Sequence, residues 1–102
     1  MPVVRISLGR FDPSQFDAIR QKLDESQVPL IPAIRALKGN LAFYAGIDRE
    51  NSAMTNVSVW ESLADARQLD TLQPMQEQAK IFLEAGVRFE RPNTNHETLW
   101  AF

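Results

Sequence analysis

The chain has 102 residues, a hydrophobic fraction of 44% and a formal net charge of −2. That length suits a single domain over residues 1–102 with a modest core. The chain is too apolar to be disordered, and no run approaches the roughly 20 apolar residues that cross a membrane. Its 11 basic and 13 acidic residues form no basic stripe, which argues against a nucleic-acid partner. With no cysteine, disulfides and thiolate metal sites are excluded. Arg5 and Arg10 interrupt the N-terminal apolar stretch, so no secretory pattern is read and a cytoplasmic location is the default.

Residues 3–8 alternate, with Val4, Ile6 and Leu8 on one face and Val3, Arg5 and Ser7 on the other, which predicts a strand. Asp12, Pro13 and Gln15 fit the N-cap, N1 and N3 positions of a helix, and Phe11 and Phe16 fit a hydrophobic staple. Phe16, Ile19 and Leu23 continue an apolar stripe at helical spacing. Pro29 and Pro32 are expected to break that helix, leaving a short helical turn at 33–37. Gly39-Asn40 marks a turn into a strand at 41–47, and a polar hairpin loop at 48–53 leads to a strand at 54–60. Ser62 caps a helix near 63–70, with Asp65 at N3. Pro74 opens another helix with Met75, Ala79, Phe82 and Leu83 as its stripe and Gly86 at C′. A short strand at 87–91 is ended by Pro92 and Asn93, and 97–102 reads as a last extended segment with Leu99, Trp100 and Phe102.

The order β-α-β-β-α-β predicts an α+β ferredoxin-like sandwich whose helices cover one face of an antiparallel sheet. Val4, Ile6, Leu8, Val57, Val59, Val87 and Phe89 are expected on the covered face. The other face then carries Val3, Arg5, Ser7, Tyr44, Asn56, Ser58, Trp60, Arg88 and Glu90. An open face with Trp and Tyr beside small residues predicts a partner. Two copies pairing there would form a homodimeric α/β barrel around a part-polar cavity. A one-residue register error would invert the assignment.

The run Asn56-Val57-Ser58-Val59-Trp60 precedes a helix with Ala64 and Ala66. Later come Ala85-Gly86-Val87-Arg88-Phe89-Glu90 and Trp100. This pattern resembles the antibiotic biosynthesis monooxygenase-type family of dimeric α/β barrels, over nearly the whole chain in element order. The resemblance implies a cofactor-independent oxygenase of polyketide anthrones, a haem-degrading enzyme, or a protein without an assigned reaction. Quinone-forming members use an asparagine and a tryptophan on the strand before the second helical region, and Asn56 and Trp60 match that pair with a spacing of four. The haem-degrading branch uses a first-strand asparagine and a helical histidine. Here Ser7 stands in the first strand and no histidine lies between 62 and 85, which argues against haem.

Without a cofactor, the substrate itself must supply electrons, as an ionisable phenol or anthrone does, and the protein must stabilise the anion and exclude water. Asn56 could donate to the developing oxyanion and Trp60 could stack or donate its N–H. Arg5 or Arg88 could favour the anion, while Ser7 and Ser58 share their strand face. Tyr44 could move a proton, and His96, the only histidine, could act as a base at the cavity mouth. Each has a plainer role available: Asn56 satisfying a strand edge, Trp60 packing, Tyr44 half-exposed, Arg88 paired with Glu90, His96 solvated. No metal cluster and no phosphate-binding glycine loop is visible. Two functions follow. One is a monooxygenase-like enzyme acting on a small aromatic quinol or anthrone. The other is a non-catalytic dimer that holds a small hydrophobic ligand.

Overall fold

A computed structural model describes all 102 residues. In chain order the elements are β1 (Val3–Arg10), α1 (Phe16–Glu25), α2 (Gln27–Arg35), β2 (Asn40–Asp48), β3 (Ala53–Trp60), α3 (Leu63–Ala66), α4 (Gln73–Glu84) and β4 (Arg88–Glu97). The strands form one antiparallel sheet in the order β2-β3-β1-β4. This is the expected α+β, ferredoxin-like arrangement.

Local signals account for most boundaries. Asp12 accepts from the Ser14 N–H and caps a 3-10 turn at Pro13–Gln15, which leads into α1. The cap therefore serves Ser14 and not Gln15. Phe11 and Phe16 pack with ring centroids 6.3 Å apart, as a staple does. Ser62 Oγ accepts from the Asp65 N–H and starts α3, which continues as a 3-10 turn over Arg67–Thr71. Gly39 turns the chain into β2 with φ +76°, where a side chain would also collide with Asp65.

Proline misled in two places. Pro29 and Pro32 do not end the helical region: both lie inside α2, directly after α1. Pro29 falls in the first turn, where backbone N–H groups have no intrahelical partner. Pro32 frees the carbonyl of Val28, a residue 76% exposed, so water can satisfy it. Pro92 does not end β4, which runs on to Glu97. It sits on an edge strand, where the β1–β4 register shifts between Ile6 and Leu8, and there its missing N–H costs no ladder bond. Beyond β4, residues 98–102 form no strand. The Thr98 N–H donates to Pro2 O at 3.0 Å, and Leu99, Trp100 and Phe102 are exposed.

The face assignment is inverted for the two central strands. Val3, Arg5 and Ser7 pair with Trp60, Ser58 and Asn56, which places all six on the helix-covered face. Val3 and Trp60 pack there with Leu30, Ile34, Ala66 and Leu69. Val4, Ile6 and Leu8 pair with Val59, Val57 and Thr55 on the open face. Tyr44, Arg88 and Glu90 lie on that open face as expected, and Val87 and Phe89 pack on the helix side. Alternation alone ranks Val4, Ile6 and Leu8 as core because it cannot show that both faces carry apolar side chains. The buried Trp60 and the satisfied Arg5 decide which face the helices take.

Candidate functional site

The covered face packs as two separate clusters. One gathers around Trp60; the other joins Phe11, Phe16, Ile19, Met54, Phe82 and Val87. They lie at opposite ends of the β1–β3 pair, because Val3 faces Trp60 at one end and Gly9 faces Met54 at the other. Between them the cross-strand pairs are Arg5 with Ser58 and Ser7 with Asn56. Ser7, Asn56 and Ser58 are too short to fill the space under the helices, and the Arg5 guanidinium is drawn aside to the Ala66 carbonyl and Asp70. A cavity of about 970 Å³ results, with Leu30 and Phe82 from the helices and Phe43 and Phe89 from the sheet in its walls. It therefore lies between the sheet and the helices of one copy.

Four of the residues anticipated from sequence line it: Arg5, Ser7, Asn56 and Ser58. The Asn56 side chain is half-buried and makes no hydrogen bond within the chain, so its amide can donate to a ligand. Ser58 Oγ accepts the Trp60 indole N–H at 2.8 Å, which leaves the hydroxyl hydrogen free to point elsewhere. Arg5 is only 6% exposed. Its guanidinium donates to the Ala66 carbonyl at 3.5 Å and forms an ion pair with Asp70, whose side chain is half-exposed. A buried guanidinium needs such partners, since an unpaired one would be strongly destabilising.

The others lie elsewhere. Trp60 shares the covered face with Asn56, but its ring is fully buried in the core and does not line the cavity. It backs the site from the core, packing with the lining residues Leu30, Ile34 and Leu69 and bonding to Ser58. Tyr44 is 62% exposed on the opposite face. Arg88 is exposed and faces Arg10, and Glu90 pairs with Arg10 at 2.9 Å, so the anticipated Arg88–Glu90 pair does not form. His96 belongs to β4 and not to a loop. It faces Val4 on the open side, with Nε2 2.9 Å from Thr94 Oγ1, and cannot stand at the mouth of this cavity.

Sequence reasoning missed Asp70, Arg35, Arg67, Arg91 and Asn95, which also line the cavity. Asn95 would have followed from extending β4 past Pro92, since it pairs with Arg5. Asp70 carried no spacing signal; only the fold carries it to Arg5, 65 residues away. Asp70 is the only carboxylate in the lining, which contains no histidine, lysine or tyrosine. The two carboxyls with resolved pKa shifts lie outside the cavity. Asp12 is held below the ordinary range by the Ser14 hydroxyl and N–H, and Asp48 by the Asn51 side chain and N–H. Both are turn caps. No group of three or more histidine or acidic side chains is placed to hold a metal.

No protein-family model matches the sequence, and no curated protein matches it. Solved structures do match. Rv0793 from Mycobacterium tuberculosis is 17% identical with a TM-score of 0.70, covering 99% of this chain and 98% of its own. A protein of Deinococcus radiodurans, provisionally named an antibiotic biosynthesis monooxygenase, is 17% identical with a TM-score of 0.71, covering 100% and 96%. SnoaB, a cofactor-independent oxygenase from Streptomyces nogalater, is 13% identical with a TM-score of 0.65, covering 98% and 95%. The chain thus resembles the antibiotic biosynthesis monooxygenase-type proteins and has their ferredoxin-like fold. At these identities, fold is what the likeness establishes.

Proposed function

We propose that the chain is a cofactor-independent monooxygenase-like protein that takes a small aromatic quinol or anthrone into the sheet–helix cavity. The observation that carries this reading is the free Asn56 amide beside Ser7 and Ser58 in a cavity that also has apolar walls from Leu30, Phe43, Phe82 and Phe89. The fold shared with SnoaB, named a cofactor-independent oxygenase, supports it.

In such a reaction an anthrone loses a proton, and its anion gives electrons to dioxygen. One oxygen atom enters the ring as the new carbonyl and the other leaves as water, so anthrone plus dioxygen becomes quinone plus water. Asn56 and Ser58 would donate hydrogen bonds to the oxyanion as charge develops. Asp70 is the one lining carboxylate able to accept the proton, and Arg5 holds it in place. Trp60 is a positioning residue acting through Ser58.

The same reading has the working protein as a homodimer paired through the open sheet face. That face presents half-buried Val4, Ile6, Leu8, Val57 and Val59 with exposed Tyr44, an apolar surface suited to a second copy. Tyr44 and His96 would then serve the interface and not the chemistry. One observation favours the alternative, a non-catalytic binder of small hydrophobic ligands: Asp70 is already engaged by Arg5, and no histidine reaches the cavity.

Oxygen uptake with a panel of anthrones and quinols separates the two. The enzyme reading expects quinone formed one-to-one with oxygen consumed, and Asn56→Ala slows turnover about a hundredfold. Tight binding of the same compounds without turnover, or turnover indifferent to Asn56→Ala, would establish the alternative.

A further inference from the structure

The charge of the cavity differs from that of the chain. Arg5, Arg35, Arg67 and Arg91 line it, against the single carboxylate of Asp70. The lining thus carries a net of three positive charges in a chain whose net charge is −2. The other seven basic side chains are outnumbered elsewhere by twelve acidic ones.

The four arginines come from four separate places: β1, the last turn of α2, the 3-10 turn after α3, and β4. Their convergence is made by the fold and not by one basic segment. The ion pairs in the structure are Arg5–Asp70 and Arg10–Glu90, so Arg35, Arg67 and Arg91 have no carboxylate within 4.0 Å. Arg91 is also held in place. Its guanidinium lies 4.6 Å from the Phe89 ring centroid and donates to Asn93 Oδ1 at 2.8 Å. A planar donor fixed beside an aromatic wall, with hydrogens to spare, suits a carboxylate or similar acid group. Exposed arginines are individually weak attractors, but several around one concave site between sheet and helices focus their field on it.

We infer that the cavity selects anionic aromatic compounds. A flat apolar ring system lies between the helices and the sheet near Asn56, and an acid group on it is held at the rim by Arg91 with Arg35 and Arg67. This rests on the cavity being the ligand site, as proposed above, and adds the charge class of the ligand.

A matched pair of fluorescent probes tests it: 8-anilinonaphthalene-1-sulfonate and N-phenyl-1-naphthylamine, which share a ring system and differ by the sulfonate. The sulfonated probe is expected to bind about tenfold more tightly at low salt and to lose most of that advantage in 0.5 M sodium chloride. Arg67→Gln with Arg91→Gln, both at exposed positions, should remove most of the advantage and leave the neutral probe's affinity unchanged. Equal affinities for the two probes, or an advantage that survives both substitutions, would overturn the inference. Ala45→Trp intrudes on the cavity from β2 beside Asn56 and should weaken binding of both probes. If both affinities are undiminished, the probes sit outside the cavity and the inference also fails. Binding of neither probe to the unaltered protein would instead overturn the reading of the cavity as a ligand site.

Discussion

The two faces of the central sheet show how poorly polarity reports burial. On β1 and β3 the face bearing Arg5, Ser7, Asn56 and Ser58 is the one covered by helices. The face bearing Val4, Ile6, Leu8, Val57 and Val59 has no cover within the chain. The covered face tolerates polar groups because it surrounds a cavity and because Arg5 is satisfied by Asp70 and the Ala66 carbonyl. The open face is apolar without cover inside the chain, as the proposed contact with another copy would require. A strand with one polar and one apolar side is therefore not oriented by that fact alone when the polar side lines a cavity.

The largest expected effect breaks the open face. Ile6→Asp with Val57→Asp places charges in the proposed contact, and sedimentation should shift from twice the 11.6 kDa chain mass to the monomer. A native protein that already sediments as a monomer would remove the dimer. On the covered face, Trp60→Ala should cost about 3–5 kcal/mol in a denaturant titration, because a fully buried ring leaves a void in the core. Trp60→Phe should restore most of that. It loses the bond to Ser58, worth about 1 kcal/mol, and leaves a smaller void where part of the indole is missing. Asp70→Ala should cost about 1–3 kcal/mol, below the value for a fully buried pair because Asp70 is half-exposed while Arg5 is not.

The smallest effect concerns the cap that starts the first helical region. Asp12 has its pKa lowered by the Ser14 hydroxyl and N–H, so its contribution is present above the unfolded value and fades as pH falls through the lower folded one. Asp12→Ala should therefore lower the Tm slightly at pH 7, and the two proteins should melt together in strong acid. A difference that persists in strong acid would mean the cap acts without its charge.

The legible parts of this chain were those set by neighbouring residues. Asp12, the Phe11–Phe16 staple, Ser62 and Gly86 marked helix ends from chemistry within a turn or two, and three strands and the start of the fourth followed from alternation. The prolines misled because their effect depends on whether a lost N–H was needed. In the first turn of α2 and at the edge of the sheet it was not. Of the anticipated site, Arg5, Ser7, Asn56 and Ser58 came together because residues two apart on a strand share a face wherever that face points. Tyr44, Arg88 and His96 fell on the other side, since nothing local tells one face from the other.

The sequence by itself determined the element order, and with it the ferredoxin-like fold, because short-range periodicity and capping carry that information. Only the tertiary structure decided which face the helices cover, that Trp60 is core and not cavity wall, and that Asp70 meets Arg5. The same is true of the four arginines around one cavity. Each of these is a contact between residues far apart in the chain, set by how whole layers pack and by which buried charges find partners.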